Sequence, residues 1–276
     1  RGPAAWYFEP RMIDTHCHLD SPRFDPDREE VLARARAAGV TDLVIPSIGP
    51  ATWEPLTAWA AGRKGIHVAL GIHPQLLPEL DPAEDEANLD RLEALLAAGG
   101  VVGIGECGLD GPTGAQSPRA PMERQVAVLR RHLELARRFR LPILLHCLRA
   151  HEPMLALLAQ ERPLPAGGVL HSYSGSAEQV RDYLPHGLHF ALAGPVTYER
   201  AKKPVLAARA VPRDRLLLET DAPDQTPRPH QGRCEPAHLA DVARGVAAAL
   251  GCPVEEVAAL TERNARALFS LASGPC

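Results

Sequence analysis

Aromatic side chains are scarce in this chain: three Trp, four Tyr and five Phe make up 4% of its 276 residues. That scarcity argues against a protein that grips long single strands by stacking base after base. Positive charge is not in excess either, since 30 Lys and Arg face 34 Asp and Glu for a formal net charge of −4. Retention on nucleic acid or anionic lipid by bulk charge is therefore excluded, and a polyanionic substrate needs a local site. No stretch approaches the ~18 consecutive apolar residues that a membrane span requires. Residues 1–11, read as a leader without functional pattern, lack the apolar core and small-residue cleavage site of a secretory signal. These absences predict a cytoplasmic protein with no membrane partner. The six cysteines include no C-x-x-C pair, which excludes a zinc finger and a disulfide framework.

What is present is a repeated alternation of a short apolar run with a longer stretch of helical periodicity, the pattern of parallel strands joined by crossover helices. Eight strands are predicted, at Met12–His18, Asp42–Ile48, His67–His73, Val101–Cys107, Pro142–Cys147, Gly168–Tyr173, His189–Gly194 and Leu216–Asp221. Between them, Gln125–Phe139 reads as an amphipathic outer helix, with Val126, Leu129, Leu133 and Ala136 on one face. Its Arg130, Arg131, Arg137 and Arg138 read as a solvated face, not a nucleic-acid patch. Helices are also predicted over Pro236–Leu250, begun by Glu235, and over Val254–Leu271. No linker or composition shift interrupts the series. The expectation is an α/β fold consisting of one domain over residues 1–276, a (β/α)8 TIM barrel with an extra C-terminal helix. In such barrels chemistry sits where the strands run into the following loops.

Histidines and carboxylates recur at those predicted strand ends: His16 and His18, Glu106, His146, His171 and Asp221. In Asp14-Thr15-His16-Cys17-His18 the two-residue spacing on an extended strand points both imidazoles the same way, so they can chelate one ion. A lone strand histidine is more often a hydrogen-bonded core residue, but six such groups at one end of a barrel are costly to bury without partners. His16, His18 and Asp221 can hold one divalent ion, His146 and His171 another, and Glu106 can bridge them. The mixed nitrogen and oxygen donors suit Zn²⁺, Mn²⁺ or Fe²⁺, with Mg²⁺ a poorer match to four imidazoles. A pair of cations meets the demands of phosphodiester hydrolysis, with Asp221 as general base. Cys17, Cys107 and Cys147, each one residue after a candidate ligand, are expected to pack behind the site. Asp14 and Asp20 either orient the ligand imidazoles from behind or serve turn or helix-entry duty, and are left out of the site; Asp110 has either loop capping or a role in the site.

The segments MIDTHCHLD (12–20), GIHP (71–74), GECGLD (105–110), LPILLHC (141–147), GVLHSYSGS (168–176) and LLLETDAP (216–223) resemble, in order and spacing, the signature blocks of TatD-like deoxyribonucleases. The resemblance runs from Met12 to Phe269. It implies a metal-dependent hydrolase of the amidohydrolase-like class acting on DNA, often as a 3′ exonuclease, with ligands at His16, His18, Glu106, His146, His171 and Asp221. It also implies that His73 lines the pocket and hydrogen-bonds substrate phosphate. Three blocks depart from the pattern. Cys147, Leu148 and Arg149 follow His146 where a small residue, Arg and Asp are usual. Gly111 and Pro112 follow Asp110 in place of aromatics, and Cys234 follows Arg233 where Asn is common. Arg149 and Arg233 remain candidate substrate contacts. The expectation is a monomer that makes brief contact with DNA or oligonucleotide ends and has no stable protein partner. A small-molecule amide, lactone or phosphoester hydrolase, or a non-catalytic binding protein on the same barrel, are the alternatives.

Overall fold

Short apolar runs bounded by Gly, Pro and polar residues become strands β1 Met12–Asp14, β2 Val40–Pro46, β3 Ile66–Leu70, β4 Gly103–Asp110, β5 Ile143–Leu148, β6 Gly168–Leu170, β7 Leu188–Leu192 and β8 Leu216–Leu218 in the computed structural model, which describes residues 11–161 and 163–272. The strands lie in sequence order in one sheet and each neighbouring pair is parallel. Helices cross between them, giving the expected (β/α)8 barrel with a C-terminal helix, Val254–Phe269. The predicted leader lies almost wholly outside the described residues. Among those residues no helix is long and apolar enough to cross a membrane.

Single hydrogen bonds from the segment after β1 to the segment after β8, in place of a regular ladder, close the barrel. Thr15 N donates to the Leu218 carbonyl (3.1 Å), Asp221 N to that of His16 (2.9 Å) and His18 N to that of Ala222 (2.7 Å). Asp14 locks the seam: its carboxylate accepts from Thr220 N (3.0 Å) and Thr220 Oγ1 (2.6 Å). It therefore serves barrel closure, not a turn or a helix entry. Six strands stop short of their predicted ends, three of them ahead of candidate metal ligands. β1 ends at Asp14, β6 at Leu170 and β8 at Leu218, so His16, His18, His171 and Asp221 stand in the first residues of the loops. Asp221 adopts a left-handed backbone there (φ 55°) that no strand allows.

Strand alternation divides the core. Leu188, Phe190 and Leu192 of β7 pack outward in the layer shared with the helices. Ala191 faces inward to join Ile13, Val44, Leu144, Val169 and Leu217 with Leu268 and Phe269 of the last helix. That helix is tied to the starts of strands through Asn264 Nδ2 on the Leu216 carbonyl (2.9 Å) and Arg266 on Asp42 (3.1 Å). It plugs the barrel floor, which leaves the opposite mouth for a site. At that mouth β4 and β5 approach so closely at Gly108, opposite His146, that a Cβ would lie 2.0 Å from the His146 carbonyl oxygen. Only glycine fits there.

The arginine cluster of the helix Met122–Phe139 is paired on the outer surface, Arg130 and Arg137 with Glu161, Arg131 with Glu134 and Arg138 with Glu93. Val126 of its predicted apolar face is only half-buried, because the inward stripe runs through Val128, Leu129, His132 and Leu133. Cys17 and Cys107 are fully buried behind the mouth, as small hydrophobes. Cys147 instead reaches the wall of the cleft described next.

Candidate metal centre

A carboxylate stands at the centre of the barrel mouth. Glu106, 1% exposed in the middle of β4, turns its two oxygens to different imidazole groups. Oε2 lies 3.2 Å from His16 Nε2 and 3.4 Å from His18 Nε2, and those two nitrogens also lie 3.7 and 3.8 Å from Asp221 Oδ1. Oε1 lies 2.8 Å from His171 Nε2, 3.1 Å from His146 Nδ1 and 2.9 Å from His73 Nε2. Five of the six residues singled out from the sequence, and His73 with them, thus line one cleft of about 300 Å³, with His16 buried against Glu106 behind it.

The spacing suits cations. Four donors about 2.1 Å from a tetrahedral ion stand about 3.4 Å apart, and the edges measured around His16, His18, Glu106 and Asp221 run from 3.2 to 3.8 Å. Glu106 Oε2 is buried and makes no hydrogen bond among the described residues, despite two imidazole nitrogens in reach. His16 Nε2 and His18 Nε2, 3.2 Å apart, would face each other lone pair to lone pair unless a proton or a cation lay between them. His146 and His171 offer nitrogens 3.3 Å apart on the other side of Glu106. The residues therefore fit a pair of divalent ions bridged by one carboxylate.

A surrounding layer, mostly unread in the sequence, orients this set. Asp110 accepts from His146 Nε2 (3.0 Å), which leaves Nδ1 as the lone-pair nitrogen facing Glu106. Its other oxygen caps the following helix through Thr113 N (2.7 Å), so both of its expected roles are met by one residue. Asp110 is itself held by Gln125, whose side chain bonds the Asp110 amide (2.7 Å) and carbonyl (3.1 Å). Glu219, fully buried, lies 3.4 Å from His171 Nδ1 and accepts from Ser172 N. Gln225 donates to Asp221 Oδ2, leaving Oδ1 for the imidazoles. His132, buried in the helix Met122–Phe139, donates through Nδ1 to the Val128 carbonyl (2.8 Å) and accepts the Ile72 amide on Nε2 (3.1 Å). It thereby steadies the turn that carries His73. His73 Nδ1 accepts the Gln75 amide (3.1 Å), so Nε2 carries the proton and donates to Glu106. In this arrangement His73 is a hydrogen-bond donor at the cleft wall.

The two candidate substrate arginines stand apart from this set. Arg149 is exposed just beyond β5, with left-handed backbone (φ 49°), and does not line the cleft. The guanidinium of Arg233 is consumed by Asp27 (2.7 Å twice), Glu235 (3.0 Å) and the Arg23 carbonyl (2.8 Å), and lies over the Phe24 ring. It is a strut between the eighth loop and the first.

Burial disfavours charge throughout the cluster and prevails at His16 and His73, which are lowered, whereas neighbouring carboxylates outweigh it at His18, His146 and His171. His18 is pushed down by burial yet raised overall from 6.5 to about 9 by Glu106 and then Asp221. His171, opposed by burial, rises well above its ordinary value through Glu106 and Glu219, and His146 rises through Asp110 and Glu106. Glu106, although burial favours its neutral form, is held well below the carboxylate range by the facing histidines. Groups raised on folding stabilise the chain fully below pH 6.5 and lose that contribution as pH climbs through their folded values. The metal-free protein should therefore melt at progressively lower temperature between pH 6.5 and 9. Metal binding, which needs these imidazoles neutral, should strengthen over the same interval. Thermal melts with and without chelator are expected to show a metal-dependent gap in Tm that widens from pH 6.5 to 9. A constant or narrowing gap would mean that these histidines do not hold the ion.

The sequence profile of the family described as TatD related DNase matches residues 13–270. A relative from Bacillus subtilis strain 168, named "Uncharacterized metal-dependent hydrolase YabD", is 35% identical over 94% of this chain and 99% of its own length. One from Cronobacter sakazakii, named "3'-5' ssDNA/RNA exonuclease TatD", is 36% identical over 96% of this chain and all of its own. The crystal structure of YjjV, a TatD homologue from Escherichia coli K12, superimposes with a TM-score of 0.87 at 33% identity, covering 96% of this chain and 100% of that one.

Proposed function

From its membership of the TatD related DNase family, to which the chain belongs, together with the geometry of the barrel mouth, we propose that it is a divalent-metal-dependent hydrolase that removes nucleotides from the 3′ ends of single-stranded DNA. The observation that carries this reading is Glu106, one buried carboxylate presenting each oxygen to a separate imidazole group. His16, His18 and Asp221 would hold one ion with Glu106, and His146 and His171 a second. Zn²⁺ and Mn²⁺ are the cations that four imidazoles and two carboxylates favour. When bound, such ions supply Lewis acidity, acidifying water and taking up charge on phosphoryl oxygens.

The chain's own residues do the rest. Asp221, with Oδ2 held by Gln225, keeps Oδ1 in place to accept the proton of the attacking water and return it to the leaving 3′ oxygen. Asp110 fixes which nitrogen of His146 faces the centre, and Glu219, 3.4 Å from His171 Nδ1, sets a negative charge behind that ring. His73 donates its proton into the cleft, to Glu106 in the free protein and within reach of a phosphate oxygen when substrate is seated. The chain acts as one catalytic domain, monomeric and cytoplasmic.

The test is hydrolysis of single-stranded oligonucleotides labelled at either end, with Mg²⁺, Mn²⁺ or Zn²⁺ added in turn. A 5′ label should yield a descending ladder and a 3′ label immediate release of mononucleotide. No cleavage with any metal, in protein shown to contain metal, would overturn the nuclease reading in favour of a small-molecule ester or amide.

A further inference from the structure

Divalent ions in the cleft would meet the scissile phosphate, but no lysine or arginine lines the cleft, and the rest of a nucleic-acid strand brings one further negative charge per nucleotide. Two further cavities continue from it. A slot of about 210 Å³ shares Ser172 and Ser174 with the cleft and is otherwise walled by apolar groups, among them Leu192, Pro195 and Val196, with Lys203 as its one cation. Beyond Val196 a groove of about 480 Å³ opens, lined by Arg209, Arg228 and Arg244. It runs along the helix Leu239–Leu250 from Asp241 to Ala249, about 12 Å at 1.5 Å per residue.

Charge accumulates here in a chain whose net charge is negative. Lys203 and Arg228 are exposed, and neither side chain has an ionic partner among the described residues. The acidic group lining the groove, Asp241, is already engaged by Arg244 (2.6 Å) and His230 (2.8 Å). Tyr198, 38% exposed, is the exposed large aromatic among the described residues, and its amide donates to the carbonyl of Pro195 (3.2 Å), which walls the slot.

The floor is preformed. A Cβ on Gly194 would meet the Gln225 carbonyl oxygen at 1.7 Å, so the loops after β7 and β8 pack backbone to backbone. Arg228 N is anchored to Thr197 Oγ1 (2.8 Å).

We propose that this continuous path is the track of the uncleaved part of a single-stranded nucleic acid. A base enters the slot between cleft and groove, Tyr198 offers a stacking face, and phosphates are held by Lys203 and Arg228. Arg244 and Arg209, already bonded to Asp241 and the Ala249 carbonyl, add positive potential along the groove. This rests on the nuclease reading and adds where the strand lies and which side chains hold it. Base contact is confined to one slot and one ring, which suits a chain with few aromatics. The phosphate contacts come from residues that no signature block contains.

The experiment is fluorescence anisotropy of a labelled twelve-residue oligothymidylate, its linkages phosphorothioate to resist cleavage, titrated with the metal-loaded protein at several salt concentrations. Lys203→Ala with Arg228→Ala should weaken binding at least about tenfold. The same pair should lower the slope of log K against log salt by about 1.4, two contacts at about 0.7 each. Arg131→Ala with Arg138→Ala, removing the same charge from the outer helix, should change neither. Tyr198→Ala should weaken binding without altering the slope. Unchanged affinity and slope in the Lys203/Arg228 pair, or no binding by the wild-type chain, would overturn the track. Cleavage is scored separately: an enzyme that cleaves but is indifferent to Lys203 and Arg228 overturns the track alone. A wild-type chain that cleaves nothing overturns the nuclease reading, whatever it binds.

Discussion

Glutamine in place of Glu106 is expected to reduce kcat/KM at least about 1,000-fold, equivalent to about 4 kcal/mol of transition-state stabilisation, and to strip metal from the purified protein. The substitution is nearly isosteric, so packing survives, but the chemistry of the position does not. A carboxylate offers acceptor oxygens on both sides; an amide offers one, and its NH₂ would confront either His16 and His18 or His73, His146 and His171. The loss also reaches stability. Glu106 is the charge that raises His18 and His171 against the cost of burial. Without it the metal-free protein must bury imidazolium ions without their counter-ion or neutralise them. Metal analysis by mass spectrometry and a melt at pH 6.5 check both parts. Full metal content with activity within tenfold of wild type would remove Glu106 from the centre of the reading.

Asparagine in place of Asp221 should lower kcat by about 100- to 1,000-fold with little change in KM. Asn accepts the Gln225 hydrogen bond and tolerates the left-handed backbone at this position (φ 55°). The variant is therefore a chemical subtraction on an intact loop. What is lost is a charged oxygen 3.7 and 3.8 Å from the His16 and His18 nitrogens, and with it the acceptor for the water's proton. A merely structural Asp221 would lower Tm and spare kcat in the protein that still folds. A catalytic one leaves the metal-free Tm near wild type and lowers kcat. A loss below tenfold would assign the base elsewhere in the cleft.

The barrel was legible because buried parallel strands are short apolar runs closed by Gly, Pro and polar residues, and crossover helices carry a 3.6-residue stripe. Both signals are local. Strand ends were less so: periodicity in MIDTHCHLD or LLLETDAP continues past the point where ladder pairing stops, because pairing depends on a neighbour some 200 residues away, as Thr15 does on Leu218. Arg233 illustrates the same limit. From its loop it reads as a free phosphate contact, but Asp27, 206 positions earlier, claims it. Conversely Lys203 and Arg228 belong to no motif and gain their setting from two loops packed at Gly194.

The types of the donors and the order in which they arrive were written in the sequence by itself: histidines two apart after β1, then Glu106, His146, His171 and Asp221, each following an apolar run in a chain with little net charge to offer a polyanion. Only the tertiary structure decided that Glu106 divides its oxygens between two imidazole groups, that Asp110 and Gln225 orient the set, and that basic side chains gather along a flank groove, not in the cleft. The physical reason is that composition and periodicity encode which way a side chain faces within its own element. Ångström distances between residues 36, 47 or 206 positions apart exist only once eight strands have closed into a ring.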